Sequence, residues 1–369
     1  SFEGRESMTG VLYVVHSLPS GGIERLLLSL CAHAKELSFS PSICCLVEEG
    51  QGAKPFKELG VPIKVFNGKS SLAPWHAPRN LYLLYQLVNH IKKLQPKVVQ
   101  GEMFFAGTLS RIAAKLCHVP IILHGYHNFY TWKGPLVRWV DSLLASYTTK
   151  LITPTQAVLD FTAQQLHIPK EKFQLIPNGI EGEALRSPSP LSPKDRNKIT
   201  FCSRFVEQKR PLFVAKIFQE LAKLRPKLHF RAIGDGPLLP QFKAATQSLQ
   251  DKLEILGRVD NALPYMRESS LLLLPSTREG FGLVPGEALL SNCLVLLSSL
   301  PPLREVYGFL GDELFLPPEA TATQWAHRAL ELLDNKAAGE KILAKAQGKL
   351  QAYYSVEKMV KSYAKLYKP

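Results

Sequence analysis

Short runs that are apolar rather than alternating recur along the whole chain, each followed by a longer stretch of helical pattern. In the first half they are Val11 to Val15, Ile43 to Val47, Ile63 to Phe66, Lys97 to Gly101, Ile121 to Gly125, Leu151 to Pro154 and Phe173 to Pro177. In the second half they are Lys198 to Ser203, His229 to Gly234, Leu253 to Leu256, Leu271 to Pro275, Leu294 to Ser298 and Leu314 to Leu316. A strand that is apolar on both faces must be covered on both faces, which is the condition of a parallel sheet between two layers of helices. The pattern therefore predicts α/β architecture, with two doubly wound domains in the 369 residues.

The segment RSPSPLSPKDRNK, residues 186 to 198, separates the two series and holds three prolines, which no regular element tolerates well. The first domain is expected over residues 8–182 and the second over 183–353. The last stretch, 354–369, places Val356, Met359, Val360, Tyr363 and Leu366 on one helical face. Residues 1–7 are polar, precede Met8 and read as an expression scar, so they are left out of the fold argument.

Composition narrows the class. With 46% hydrophobic and 21% charged residues the chain can bury a real core, so disorder and coiled coil are excluded. No apolar run reaches the roughly 18 residues that span a bilayer and no secretory layout opens the chain, so a cytoplasmic protein is expected. The six cysteines show no CxxC spacing and lie mostly in apolar runs, as buried thiols in a reducing compartment do. Net charge is +14, and residues 51–150 carry 13 Lys/Arg against 3 Asp/Glu. A surplus of that kind attracts anionic partners. Nucleic acid is not expected among them, because zinc-finger spacing, an RNP-like stretch and a basic heptad array are all missing.

Ligands of open α/β sheets sit outside the carboxyl ends of the strands, so the loops that follow strands carry the chemistry. After the first strand, Gly21 and Gly22 open a helix, where free N–H groups attract phosphate; taken alone, without a GxGxxG or P-loop, they fit a plain strand-to-helix turn better. After the fifth stand His124, Gly125, Tyr126 and His127, and a histidine there can hydrogen-bond a sugar hydroxyl or serve as an ordinary structural side chain. The loop after the first strand of the second half holds Arg204 and Lys209, a fork and a point charge suited to a diphosphate. Following Leu271 to Pro275 comes TREGFGLVPGEAL, with Glu279 and Glu287 eight positions apart around a glycine-bearing turn. Carboxylates accept from the hydroxyls of a sugar or ribose while backbone N–H groups take phosphate.

With these residues in order, the chain resembles the family-four retaining glycosyltransferases of GT-B fold, the group that includes bacterial lipopolysaccharide core and mannosyl transferases. The likeness covers Gly21 to Arg25, His124 and Gly125, Pro177 to Glu181, the Arg204 and Lys209 pair, Gly234 to Pro237, and the E-x7-E element at Glu279 and Glu287. It implies two Rossmann-like domains with the active site in the cleft between them, the first binding the acceptor and the second the nucleotide-sugar donor, and a final helix that packs back on the first. It implies catalytic roles for Arg204, Lys209, Glu279 and His124, and donor binding by Gly21, Gly22, Ser203, Gly234, Gly236, Phe281, Gly282, Leu283, Val284 and Glu287. Departures are Ser203 in place of the usual Gly, Glu181 in place of the usual Asp, and Ser291 to Leu294 where a glycine and a proline are common.

The activity so implied is that of a hexosyltransferase moving a sugar from a UDP- or GDP-linked donor to a hydroxyl, with retention. No cofactor is expected, and no metal either, since no DxD pair occurs and Arg204 with Lys209 can stabilise the leaving diphosphate. The acceptor is expected to be lipid-linked or of lipopolysaccharide type. Tyr126, His127, Phe129, Trp132, Lys133, Arg138 and Trp139 interleave aromatics with cations, which suits an acceptor or peripheral contact with the anionic inner face of the membrane. The alternatives are a soluble sugar or glucan acceptor, or a non-catalytic nucleotide-sugar-binding module.

Overall fold

A computed structural model describes residues 8–19, 21–68, 77–181, 197–249 and 251–368. The expression scar at 1–7 and most of the proline-rich 186–198 segment, with the expected boundary at 182/183, lie outside these residues. The chain divides into two compact units, residues 1–179 with 356–369, and residues 180–355.

Among the described residues the first unit forms a seven-stranded sheet of β1 (Thr9–Val15), β2 (Phe39–Cys45), β3 (Ile63–Val65), β4 (Val98–Glu102), β5 (Ile121–Gly125), β6 (Lys150–Thr153) and β7 (Phe173–Leu175). The order is β3-β2-β1-β4-β5-β6-β7, parallel throughout. The direction of winding reverses between β1 and β4, which makes their carboxyl ends the switch point where doubly wound sheets bind ligands. β2 begins at Phe39, four residues before the expected Ile43, and runs through Pro41. Ile43 N–H donates to Pro62 O on the β3 side at 2.9 Å, and by alternation Pro41 faces that side too, beyond the end of β3, where no N–H is called for.

The second unit forms a six-stranded parallel sheet in the order β10-β9-β8-β11-β12-β13, with its switch point between β8 and β11. Its strands are β8 (Lys198–Cys202), β9 (His229–Ile233), β10 (Leu253–Gly257), β11 (Leu271–Leu274), β12 (Leu294–Ser298) and β13 (Phe315–Leu316). Four consecutive leucines make β11, all buried between the helical layers.

The helix Val356–Leu366 belongs to the first unit. Its apolar face, Met359, Val360 and Tyr363, and Tyr367 beyond it join the core that holds Val11 and Tyr13. Gly179 N–H donates to Met359 Sδ at 3.0 Å, where the chain leaves this unit.

Candidate functional site

In the second unit the loops after β8 and β11, on either side of the switch point, are tied together by their backbones. Glu207–Lys209 is a single 3-10 turn. Gln208 O accepts from Thr277 N–H at 2.9 Å, and Gln208 Nε2 donates to Arg278 O at 2.7 Å. This clamp sets Lys209 against Glu279, 70 positions away in sequence, and Lys209 Nζ donates to Glu279 Oε1. The pair is largely enclosed, with side-chain exposures of 13% and 7%. Arg204, in the same post-β8 loop, is exposed, and Ser203 N–H donates to Ile233 O at 3.0 Å.

Glycines make the close approaches possible. Gly234 and Gly236 have φ of +129° and +153°, and a Cβ on Gly236 would stand 2.6 Å from Phe205 O. The loop after β9 can then lie against the loop after β8, with Phe205 N–H donating to Asp235 O at 2.9 Å and Leu238 N–H to Phe205 O at 3.0 Å. Gly282, at φ +79°, caps the helix Leu283–Leu290, and its carbonyl accepts from the hydroxyl of the buried Tyr307. The N–H groups of Leu283 and Val284 in the first turn have no carbonyl within the helix to bond, so they carry the positive end of its dipole beside Glu279 in sequence. Phe281 is buried edge-on to Tyr354, with ring centroids 5.5 Å apart. Glu287 is in the second turn and 5% exposed. Gln208 and Tyr307 were not foreseen as contributors; neither belongs to a motif, and only the folded loops show what they brace.

The first unit departs from expectation. His124 was expected beside a reacting sugar, yet it is wholly enclosed beneath the helix Phe104–Leu116, and a Cβ on Gly107 would collide with its ring. Its Nδ1 donates to Gly101 O at 3.0 Å. Burial, then the nearby Arg111, push its pKa well below the usual histidine range and keep it neutral.

Tyr126 and Lys133 were expected on an acceptor or membrane surface, and they too are interior, at 0% and 4% exposure. The cause is Asp141, whose Oδ1 accepts from Arg111 Nη2 at 2.5 Å and Tyr126 OH at 2.8 Å, and whose Oδ2 accepts from Lys133 Nζ at 2.5 Å. Burial by itself would raise the Asp141 carboxyl; Arg111 and Lys133 outweigh it and hold the group well below the usual carboxylate range. Lys133 Nζ also stands within 4.9 Å of the ring centroids of Phe104, Tyr126 and Tyr130. Two cations of the basic stretch are thus removed from the surface. Asp141 and Glu102 are two of only three acids in residues 51–150, a scarcity that could have marked both.

Phe129 is half-buried against Phe161, at 5.0 Å between ring centroids, and Arg138 is half-buried. Trp132 and Trp139 are exposed, at 51% and 63%. Trp139 forms with Leu136, Leu143 and Tyr147 an exposed apolar stripe along the helix Pro135–Tyr147, and Trp132 precedes that helix. His127 is half-buried and bonded to Glu102. Gly21 caps the helix Gly22–Ala32. Among the described residues, no group of three or more His, Cys, Asp or Glu could hold a metal ion, and no helix is long and apolar enough to cross a membrane.

Two doubly wound units of this kind make the GT-B fold. Residues 20–183 match the model of glycosyltransferase family 4, and residues 196–335 match that of glycosyl transferases group 1. The chain belongs to this family and is a hexosyltransferase of its type. It is 28% identical to the Escherichia coli UDP-Gal:alpha-D-GlcNAc-diphosphoundecaprenol alpha-1,3-galactosyltransferase over 242 residues, 60% of this chain and 62% of that protein. It is 24% identical to the putative Bacillus subtilis glycosyltransferase EpsF over 79% of each chain. Anabaena HepE solved with UDP-glucose superposes with a TM-score of 0.80 at 17% identity, over 96% of this chain and 98% of that one.

Proposed function

We propose that the protein transfers a hexose from a UDP-linked donor to a hydroxyl of a lipid-linked saccharide, with retention and without a metal ion. The observation that carries this is the Lys209–Glu279 pair held at the switch point of the second sheet. A diphosphate there takes the ammonium of Lys209 and the guanidinium of Arg204, and Glu279 is left to accept from hydroxyls of the sugar. As the bond from the anomeric carbon to phosphate oxygen breaks, negative charge grows on the diphosphate, and the two fixed cations stabilise it where other enzymes use a metal. The N–H groups of Leu283 and Val284 add donors for phosphate, and Glu287 accepts from the ribose. The acceptor oxygen attacks the same face, and its proton passes to the departing phosphate.

Uridine is favoured because HepE was solved with UDP-glucose and the E. coli relative uses UDP-Gal. A lipid diphosphate acceptor is favoured because that relative's acceptor is GlcNAc-diphosphoundecaprenol, which also suggests a part in lipopolysaccharide or capsule assembly. The apolar stripe of Leu136, Trp139, Leu143 and Tyr147, with the exposed Trp132 before the helix, supports peripheral contact with an anionic bilayer, where aromatic side chains settle at the interface and the basic surroundings of the stripe add attraction.

A thermal-shift panel of UDP- and GDP-sugars, followed by donor turnover in EDTA, tests the reading. UDP-sugars are expected to raise the melting temperature and GDP-mannose to leave it unchanged. Turnover that vanishes in EDTA and returns with Mn2+ would end the metal-free scheme.

A further inference from the structure

Buried hydrogen bonds in the first unit run in a single line from the last residues of the chain to the mouth of its sheet. Tyr13 OH and Tyr367 OH lie 2.9 Å apart, and Tyr367 OH donates to Gln100 Oε1 at 2.9 Å. Gln100 Nε2 donates to Glu102 Oε1 at 2.5 Å. Glu102 Oε2 accepts from His127 Nε2 at 2.5 Å. Every member but the last is at most 1% exposed, whereas the His127 side chain retains 11%.

The line ends where ligands bind. Glu102 is the last residue of β4, beside β1 at the switch point, and His127 lies two residues past the end of β5. Gly125 makes the pairing possible, because a Cβ there would collide with both Glu102 Oε2 and His127 Nε2. With its proton on Nε2, the ring keeps the lone pair of Nδ1 as an acceptor.

We propose that His127 positions the acceptor substrate: its Nδ1 accepts a hydrogen bond from an acceptor hydroxyl, and Glu102, Gln100 and Tyr367 hold the ring in the required tautomer. This rests on the reading that the protein glycosylates a hydroxyl. No proton changes owner, so His127 orients the nucleophile without acting as a base. Hydrogen bonding of a sugar hydroxyl to a fixed ring nitrogen selects by geometry, and the positioning residues behind it keep that geometry from relaxing.

The test uses the full chain, 15N-labelled at histidine, and a short-chain polyprenyl-diphosphate N-acetylglucosamine in detergent as probe. NMR is expected to show His127 protonated at Nε2, with Glu102→Gln disturbing that signature, and the probe, added without nucleotide, is expected to shift the Nδ1 resonance. By calorimetry His127→Ala weakens the probe about tenfold, near the effect of losing one hydrogen bond, while UDP affinity stays within about twofold. His127→Asn puts an amide oxygen close to the Nδ1 position and recovers part of the affinity; His127→Gln does not. Tyr367→Phe weakens the probe about twofold to threefold.

A proton on Nδ1, an Nδ1 resonance that the probe leaves unmoved, equal weakening of probe and UDP by His127→Ala, or equal rescue by Asn and Gln would each overturn the proposal. Failure of UDP to bind the wild type would instead overturn the donor reading of the second unit, which the nucleotide-free NMR measurements do not depend on.

Discussion

The two units share a winding pattern and use charge in opposite ways. In the first, Asp141 is sealed inside with Arg111 and Lys133, so ionic side chains fix the interior and apolar ones, from Trp132 to Tyr147, face outward. In the second, β11 and β12 are leucine-rich, and most of the buried polar side chains are uncharged serines and threonines. Its buried Arg231 reaches Glu254 and Glu268, which are themselves half exposed, and its enclosed ion pair, Lys209 with Glu279, sits at the carboxyl end of the sheet. A pair sealed on every side can only hold structure together. A pair at a strand mouth can exchange its partner for a ligand, and function follows from that placement more than from residue type.

The sharpest break in the comparison is Asp141→Asn. It strands two cations in the interior of the first unit and is expected to destabilise that unit by about 3–5 kcal/mol. Hydrogen exchange in β5 and in the helix Pro135–Tyr147 checks this. Lys133→Met leaves the Arg111–Asp141 pair intact and sets a thioether among three rings, so it should cost about 1 kcal/mol. Equal losses from the two substitutions would show that Lys133 is essential to the network.

Next comes Lys209→Met in the second unit. Transfer is expected to slow by about 10²- to 10³-fold, the usual effect of removing one stabiliser of developing charge. Denaturant unfolding should move less than Asp141→Asn moves it, because Lys209→Met leaves one charge without its partner and Asp141→Asn leaves two. A large loss of stability with little loss of rate would reverse the contrast between the units.

Acid is expected to act first on the first unit. His124 and Asp141 both have depressed pKa values, so the unfolded chain binds their protons more readily and folded stability rises with pH. Their contribution is complete at neutral pH. His124 begins to withdraw it below about 6.5, and Asp141 below about 4. The first unit is therefore expected to lose exchange protection before the second as pH falls from 7 to 3, which mass spectrometry of exchanged peptides would follow.

The smallest effect on stability belongs to Leu136→Ser and Trp139→Ser, expected within about 0.5 kcal/mol because both side chains are exposed. Sedimentation with anionic vesicles should nonetheless fall severalfold in the double variant. Unchanged binding would remove the stripe from the membrane reading.

Much of this was legible in the sequence. Every one of the thirteen apolar runs overlaps a strand, because a strand covered on both faces has no polar side to blur the signal, although the ends of β1, β2, β4, β6 and β10 extend past the expected runs. The charged loops are also local features, and Arg204, Lys209 and Glu279 lie in the loops after β8 and β11, as their order implied. The order of strands, and hence the two switch points, was not local information.

The sequence by itself determined which segments must be covered by helices and which loops carry charge, since burial on two faces and a turn's need for glycine each act within a few residues. Tertiary structure alone decided that Lys133 and Tyr126 turn inward, that His124 is sealed, and that Glu102 meets His127. Those outcomes depend on partners as far apart as Arg111 and Asp141, 30 positions, or Glu102 and His127, 25 positions. A cation reads the same along the chain whether water or a buried carboxylate satisfies it, and only packing brings the carboxylate within reach.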